Sequence, residues 1–133
     1  MRAEHIGIAV KNLENSIPLF EKLLASACYK TEVVEGEMVK TAFFKAGSTK
    51  IELLESTSPD GVIAGYIEKK GEGMHHIAFE VDDIVEEMKR LKAEGFILLS
   101  EEPKEGADNK LVCFLHPKTT NGVLIEICQE KKS

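Results

Sequence analysis

Two histidines and two glutamates have the residue types and positions expected of a metal site. His5 and His76 each open a short apolar stretch, while Glu52 and Glu126 each stand between two aliphatic residues. A carboxylate in the middle of a half-buried strand is costly to desolvate unless it is paired or bound to a metal. Imidazole and carboxylate together suit Zn, Co, Ni, Mn or Fe. The four residues therefore predict one divalent metal site.

An internal duplication relates the four candidate ligands. The stretch His5–Val10 resembles His76–Val81, and each begins with His-Ile, has a small residue third and ends on Val. The histidines are 71 residues apart and the glutamates 74 apart, a drift that unequal loops would produce. A single histidine or glutamate in a strand is more often a core or surface residue. The duplication is what favours a shared site.

The elements that would position these residues follow from hydrophobic periodicity. In each strand the histidine shares a face with small residues, and the bulky residues share the opposite face. After each strand comes a helical stripe, which is formed by Leu13, Ile17, Phe20 and Leu24 or by Ile84, Met88 and Leu91. Asp82 or Asp83 would cap the second helix, and a cap at Asn15 would place Pro18 in the first turn.

The predicted fold class is α+β, with two pseudo-symmetric βαβββ modules forming a curved mixed sheet around the metal site. We expect a single domain over residues 1–133, made of module 1 (about 1–57) and module 2 (about 73–130). A linker between them contains a short helix around Ile63 to Lys69. Extended segments joined by turn residues complete each module.

Composition limits the partners. Hydrophobic residues make up 43% and charged residues 30% of the chain, and the net charge is −6. That charge argues against a general binder of nucleic acid or membrane surfaces, although a locally basic pocket could still take an anionic small molecule. The N-terminal residues show no signal-peptide pattern, so a cytoplasmic location is expected. Three cysteines without a CxxC pair are expected to be reduced.

Four further residues have weaker claims to the site. His75 has the wrong strand parity for the pocket, so it would support a ligand or pack. His116 precedes Pro117 and Lys118 and could be a loop residue or a substrate contact; Lys118 is a candidate substrate contact as well. Cys128 shares strand parity with Glu126 and could line the pocket or fill the core.

These motifs resemble the vicinal oxygen chelate superfamily, which includes glyoxalase I and methylmalonyl-CoA epimerase. The resemblance covers nearly the whole chain, and it is most specific to the epimerases. It rests on the segments His5–Val10, Lys50–Leu54, Gly73–Asp83, Ser100–Gly106, Phe114–Lys118 and Gly122–Glu126.

The resemblance implies a metal-dependent epimerase of methylmalonyl-CoA or a related acyl-CoA. Abstraction of the α-proton would give a metal-bound enolate. Glu126 would be both a metal ligand and the base that takes the proton. It also implies one ion of Co, Ni, Zn or Mn, a small-molecule thioester substrate and a homodimer. Alternatives are a lactoylglutathione lyase (glyoxalase I) and, from another class, a small-molecule-binding or resistance protein.

One departure from the epimerase pattern concerns the second acid or base. Some epimerases carry another carboxylate on the strand before the Glu52 strand. Here the comparable region is Glu37–Ala42, in which Lys40 or Thr41 takes that position and Glu37 is out of register. The second group is therefore unassigned from the sequence.

Overall fold

A computed structural model describes residues 1–132 as eight strands and three helices. The strands are β1 (Arg2–Ala9), β2 (Lys30–Val34), β3 (Val39–Ala46), β4 (Thr49–Ser56), β5 (Gly73–Glu80), β6 (Lys104–Glu105), β7 (Lys110–Leu115) and β8 (Ile125–Glu130). The helices are α1 (Leu13–Leu24), α2 (Val62–Lys70) and α3 (Ile84–Ala93), with single 3-10 turns at Glu35–Glu37 and Pro117–Thr119. Within this described part of the chain, no helix is long and apolar enough to cross a membrane.

The order of the elements is βαβββ twice, with α2 between the two copies. One copy runs from β1 through α1 to β4, and the other runs from β5 through α3 to β8. This confirms the predicted pair of modules. The short helix that was predicted in the linker is α2.

The chain divides into two compact units. The first contains His5–His75, and the second contains Met1–Glu4 and the chain from His76 onward. Helix α2 belongs to the first unit because Ile63 packs with Val39 and Leu54.

The first unit contains a mixed sheet in the order β2-β3-β4-β1. Strands β2, β3 and β4 are antiparallel neighbours, whereas β1 runs parallel to β4. The second unit repeats this pattern as β5-β8-β7-β6, with β5 parallel to β8 and the other pairs antiparallel. In each module the strand with the histidine therefore lies beside the strand with the glutamate.

One face of each sheet is packed against its helix. Bulky residues of the first sheet pack with α1 in a cluster of Val10, Leu13, Ala42, Phe44 and Leu53. In the second unit α3 packs in a cluster of Val81, Ile84, Met88, Leu91, Cys113, Leu115 and Ile127. Because side chains alternate along a strand, the histidine and glutamate of each module point to the opposite face.

The helix starts correct one prediction and confirm another. Asn12 caps α1, its side-chain oxygen accepting from the Asn15 N–H at 3.2 Å, so the predicted cap at Asn15 is wrong. Starting the helix there buries Leu13 and places Pro18 inside the helix on its exposed side. Pro18 has no N–H to donate to the carbonyl one turn earlier in the helix. Because Pro18 lies on the exposed side, water can hydrogen-bond to that carbonyl instead. Asp83 caps α3, as one of the two predicted candidates.

Candidate metal centre and active site

The first unit holds a buried pair formed by His5 and Glu52. Parallel pairing of β1 and β4 places Glu52 beside Gly7, two residues after His5. The His5 Nδ1 atom lies 3.2 Å from Glu52 Oε2, and the two side chains are 6% and 5% exposed. Gly7, the residue paired with Glu52, shares this face and carries no side chain.

The second unit holds the equivalent pair, His76 and Glu126. Here β5 and β8 place Glu126 beside Ala78, again two residues after the histidine. His76 Nε2 lies 3.3 Å from Glu126 Oε1, and both side chains are 6% exposed. The Phe114 ring, which lies on β7 beside β8, meets the His76 ring edge-on with 5.6 Å between the ring centroids. The small third residue of the repeated motif is thus the residue beside the glutamate.

The chemistry of these side chains fits a divalent metal. Each unit supplies one imidazole and one carboxylate, and all four residues belong to clusters of histidine and carboxylate groups that could hold a metal ion. Burying a carboxylate costs free energy, which a bound cation would offset. Nitrogen and oxygen donors of this kind suit Zn, Co, Ni or Mn.

Strand β3 distinguishes Lys40 from Thr41, the two residues that the sequence places at the position of the unassigned second acid or base. Lys40 is exposed and lies opposite Glu55, on the face away from Glu52. Thr41 is buried and lies opposite Leu54, on the same face as Glu52. Thr41 is therefore the residue that shares the face of Glu52, and it provides a hydroxyl rather than a carboxylate.

A second polar cluster, which sequence reasoning missed, lies in the second unit. Lys110 is 5% exposed, and its Nζ atom lies 3.0 Å from Glu80 Oε2 and 3.9 Å from Glu4 Oε2. Arg2 adds contacts to Glu80 at 3.0 Å and to Glu4 at 3.7 Å. We call these four residues the Lys110 cluster. The one signal in the sequence was that Glu80 shares strand parity with His76.

Burial and neighbouring charges shift the pKa values of Glu80 and Cys128 in the second unit. Burial alone would raise the pKa of Glu80, but the hydrogen bond and charge of Lys110, with those of Arg2, outweigh it and hold this pKa below its ordinary value. Burial, with a contribution from the Glu126 and Glu4 carboxylates, strongly raises the pKa of the Cys128 thiol. Cys128 is fully buried with Ala78 and Val112, so it is a neutral core thiol.

The remaining candidates have local structural contacts. The His75 ring packs edge-on against Tyr66 at 4.9 Å, as a packing role would predict. His116 is exposed at the end of β7, where its Nδ1 atom accepts from the Lys118 N–H at 2.9 Å and caps a 3-10 turn. Neither contact involves the Lys118 ammonium group or His116 Nε2. Contact of these two residues with substrate stays a prediction.

Comparison with known proteins defines the class. Residues 4–114 match the model of the Glyoxalase/Bleomycin resistance protein/Dioxygenase superfamily. A variant of methylmalonyl-CoA epimerase from Streptomyces coelicolor, in complex with 2-nitronate-propionyl-CoA, is similar with a TM-score of 0.93 and 32% identity; the match covers 98% of this chain and 94% of that one. The chain therefore belongs to this superfamily and has its vicinal oxygen chelate fold.

Curated relatives narrow the class to epimerases. The mitochondrial methylmalonyl-CoA epimerase of Homo sapiens is 40% identical over 129 residues, which cover 96% of this chain and 73% of the relative. The ethylmalonyl-CoA/methylmalonyl-CoA epimerase of Cereibacter sphaeroides is 40% identical over 130 residues, covering 96% and 97%. These matches confirm the expected family and the expected enzyme class, an epimerase.

Proposed function

We propose that this chain is a metal-dependent epimerase of methylmalonyl-CoA or a related acyl-CoA. It would remove and return the proton on the carbon between the thioester and the carboxylate. The observation that carries the proposal is the pair of buried, repeat-equivalent His–Glu contacts, at 3.2 Å and 3.3 Å. The names of its relatives and the acyl-CoA analogue bound by a similar structure support the substrate class.

His5, Glu52, His76 and Glu126 are proposed to hold one ion of Co, Ni, Zn or Mn together. When bound, such an ion supplies Lewis-acid stabilisation of the negative charge that develops on substrate oxygens. The near-complete burial of these side chains would exclude water and strengthen that stabilisation. Removing any one of the four should weaken metal binding.

Glu126 is the proposed base. A carboxylate beside the acidic carbon takes its proton and, as the conjugate acid, can return it. The Phe114 ring packs against His76 and limits how that imidazole can turn next to Glu126. A second base would have to approach the opposite face of the carbon. Solvent deuterium entry from each epimer tests this point, because exchange from only one epimer would exclude a two-base scheme.

The remaining parts of the proposal concern partners and location. Lys118 is exposed, so its ammonium group could meet an anionic part of a coenzyme A thioester, and His116 Nε2 lies in the same turn. A homodimer and a cytoplasmic location are also proposed. Exposed Leu19 and Leu23 on α1 are apolar side chains that a second copy could cover, which size-exclusion chromatography with light scattering would test.

Two direct assays test the function. The first measures epimerisation of methylmalonyl-CoA, and the second measures isomerisation of the methylglyoxal–glutathione hemithioacetal. We expect turnover in the first assay only. Turnover in the second alone would replace the proposal by a lactoylglutathione lyase, and metal binding without either activity would overturn both enzyme assignments.

A further inference from the structure

Thr41 carries a buried hydroxyl that the described fold does not satisfy. The residue is 1% exposed, and its Oγ1 atom has no hydrogen-bond partner within residues 1–132. Thr119 and Thr120, by contrast, direct their hydroxyls at backbone carbonyls. A buried hydroxyl without a partner destabilises the folded state, and valine would fill the same shape without that cost. A partner from outside the chain would explain the threonine.

The strand register shows which way Thr41 points. Its neighbours Ala42 and Phe44 pack in the α1 cluster, so Thr41 must point to the opposite face, which carries Glu52. Phe43 lies directly opposite Glu52, and Thr41 lies opposite Leu54. Thr41 and Glu52 are therefore diagonal neighbours on one face, at a separation of roughly 7 Å.

The side chains next to Thr41 are apolar, so packing alone would favour an apolar residue at this position. Val39, two positions earlier on β3, and Leu54, directly opposite, both pack with Ile63 of α2. Thr41 thus stands between an apolar cluster on one side and the His5–Glu52 pair on the other. Thr41 therefore lies at the boundary between the apolar cluster with Ile63 and the proposed metal-binding side chains.

We propose that the Thr41 hydroxyl donates a hydrogen bond to a carboxylate oxygen of the bound substrate. This inference rests on the proposed function. A threonine hydroxyl is not a base at neutral pH, so Thr41 binds and orients the substrate and does not move the α-proton. Its removal should raise KM with little change in kcat, because the bond forms before the transition state and persists in it.

The test compares Thr41→Val with Thr41→Ser, using methylmalonyl-CoA as substrate. Thr41→Val keeps the shape and loses the hydroxyl, and we expect KM to rise about 10-fold or more, as for a hydrogen bond to a charged acceptor. Its Tm should stay the same or rise, since the unsatisfied group has gone. Thr41→Ser should keep KM near the wild-type value. Thr31→Val, on exposed Thr31 of β2, is the matched control and should leave KM unchanged.

Each outcome decides one claim. A wild-type KM in Thr41→Val would overturn the inference while leaving the epimerase proposal intact. A lowered Tm in that variant would also overturn it, because the hydroxyl would then have a partner within the fold. Absence of epimerase turnover in the wild-type protein would overturn the proposed function, and this inference with it.

Discussion

Replacing Lys110 by Met should destabilise the protein strongly, because it leaves two carboxylates in the second unit without their buried cation. Removing one partner of a buried ion pair costs about 3–5 kcal/mol. Arg2 still contacts Glu80, and the Glu80 side chain is 25% exposed, so the lower end of that range applies. We therefore expect a loss of about 3 kcal/mol in the free energy of unfolding.

The expected change in melting temperature follows from chain length. An unfolding entropy of about 2.1 cal/mol/K per residue, over 133 residues, makes each kcal/mol worth roughly 3–4 °C. Lys110→Met should thus lower Tm by about 10 °C in a calorimetric or circular-dichroism melt. Lys131→Met is the matched control. Lys131 contacts Glu105 at 2.8 Å, closer than Lys110 to Glu80, but Glu105 is 77% exposed, so Tm should hardly change.

The difference between wild type and Lys110→Met should depend on pH. The pKa of Glu80 is lowered in the folded state, so its stabilising effect is present above its ordinary value of 4.5 and is lost as pH falls through the lowered pKa. The Tm difference should therefore be largest near neutral pH and should narrow below pH 4.5. Equal Tm losses in Lys110→Met and Lys131→Met would refute the reasoning, since burial would then not matter.

Three further predictions concern the site and its supporting helix. Glu126→Gln should lower kcat by about 10²–10⁴-fold, as loss of a general base does, whereas Glu130→Gln near the end of the same strand should not; equal activity would remove Glu126 from proton transfer. Zinc at about 100 times its Kd should stabilise the wild type by about 2.7 kcal/mol, and His76→Ala should lose most of that shift; an undiminished shift would exclude His76 as a ligand. Asp83→Ala should cost about 1 kcal/mol of stability through loss of the α3 cap, and Asp82→Ala much less; equal losses would contradict the capping assignment.

The two His–Glu pairs could be predicted from sequence because their determinants are local. Alternation along a strand determines which residues share a face with His5 or His76. The internal duplication then pairs each histidine with a glutamate at an equivalent position of its own repeat, Glu52 or Glu126. The structure adds the register, which places Gly7 and Ala78 beside Glu52 and Glu126.

Other features depend on contacts that no local pattern encodes. Lys110 meets Glu4 across more than one hundred positions of sequence, because the first residues of β1 belong to the second unit. Asn12 and Asn15 are both good helix caps, and Pro18 favoured the later start. Burial of Leu13 selected the earlier one. The unsatisfied hydroxyl of Thr41 is likewise a property of three-dimensional packing.

Metal analysis and the epimerase assay on one purified sample test the central claim most directly. Mass-spectrometric metal analysis should find one divalent ion per chain, and that sample should epimerise methylmalonyl-CoA. Removing the ion with a chelator should abolish turnover, and adding it back should restore it. Full turnover by metal-free protein, or one bound metal without epimerase turnover, would contradict the account.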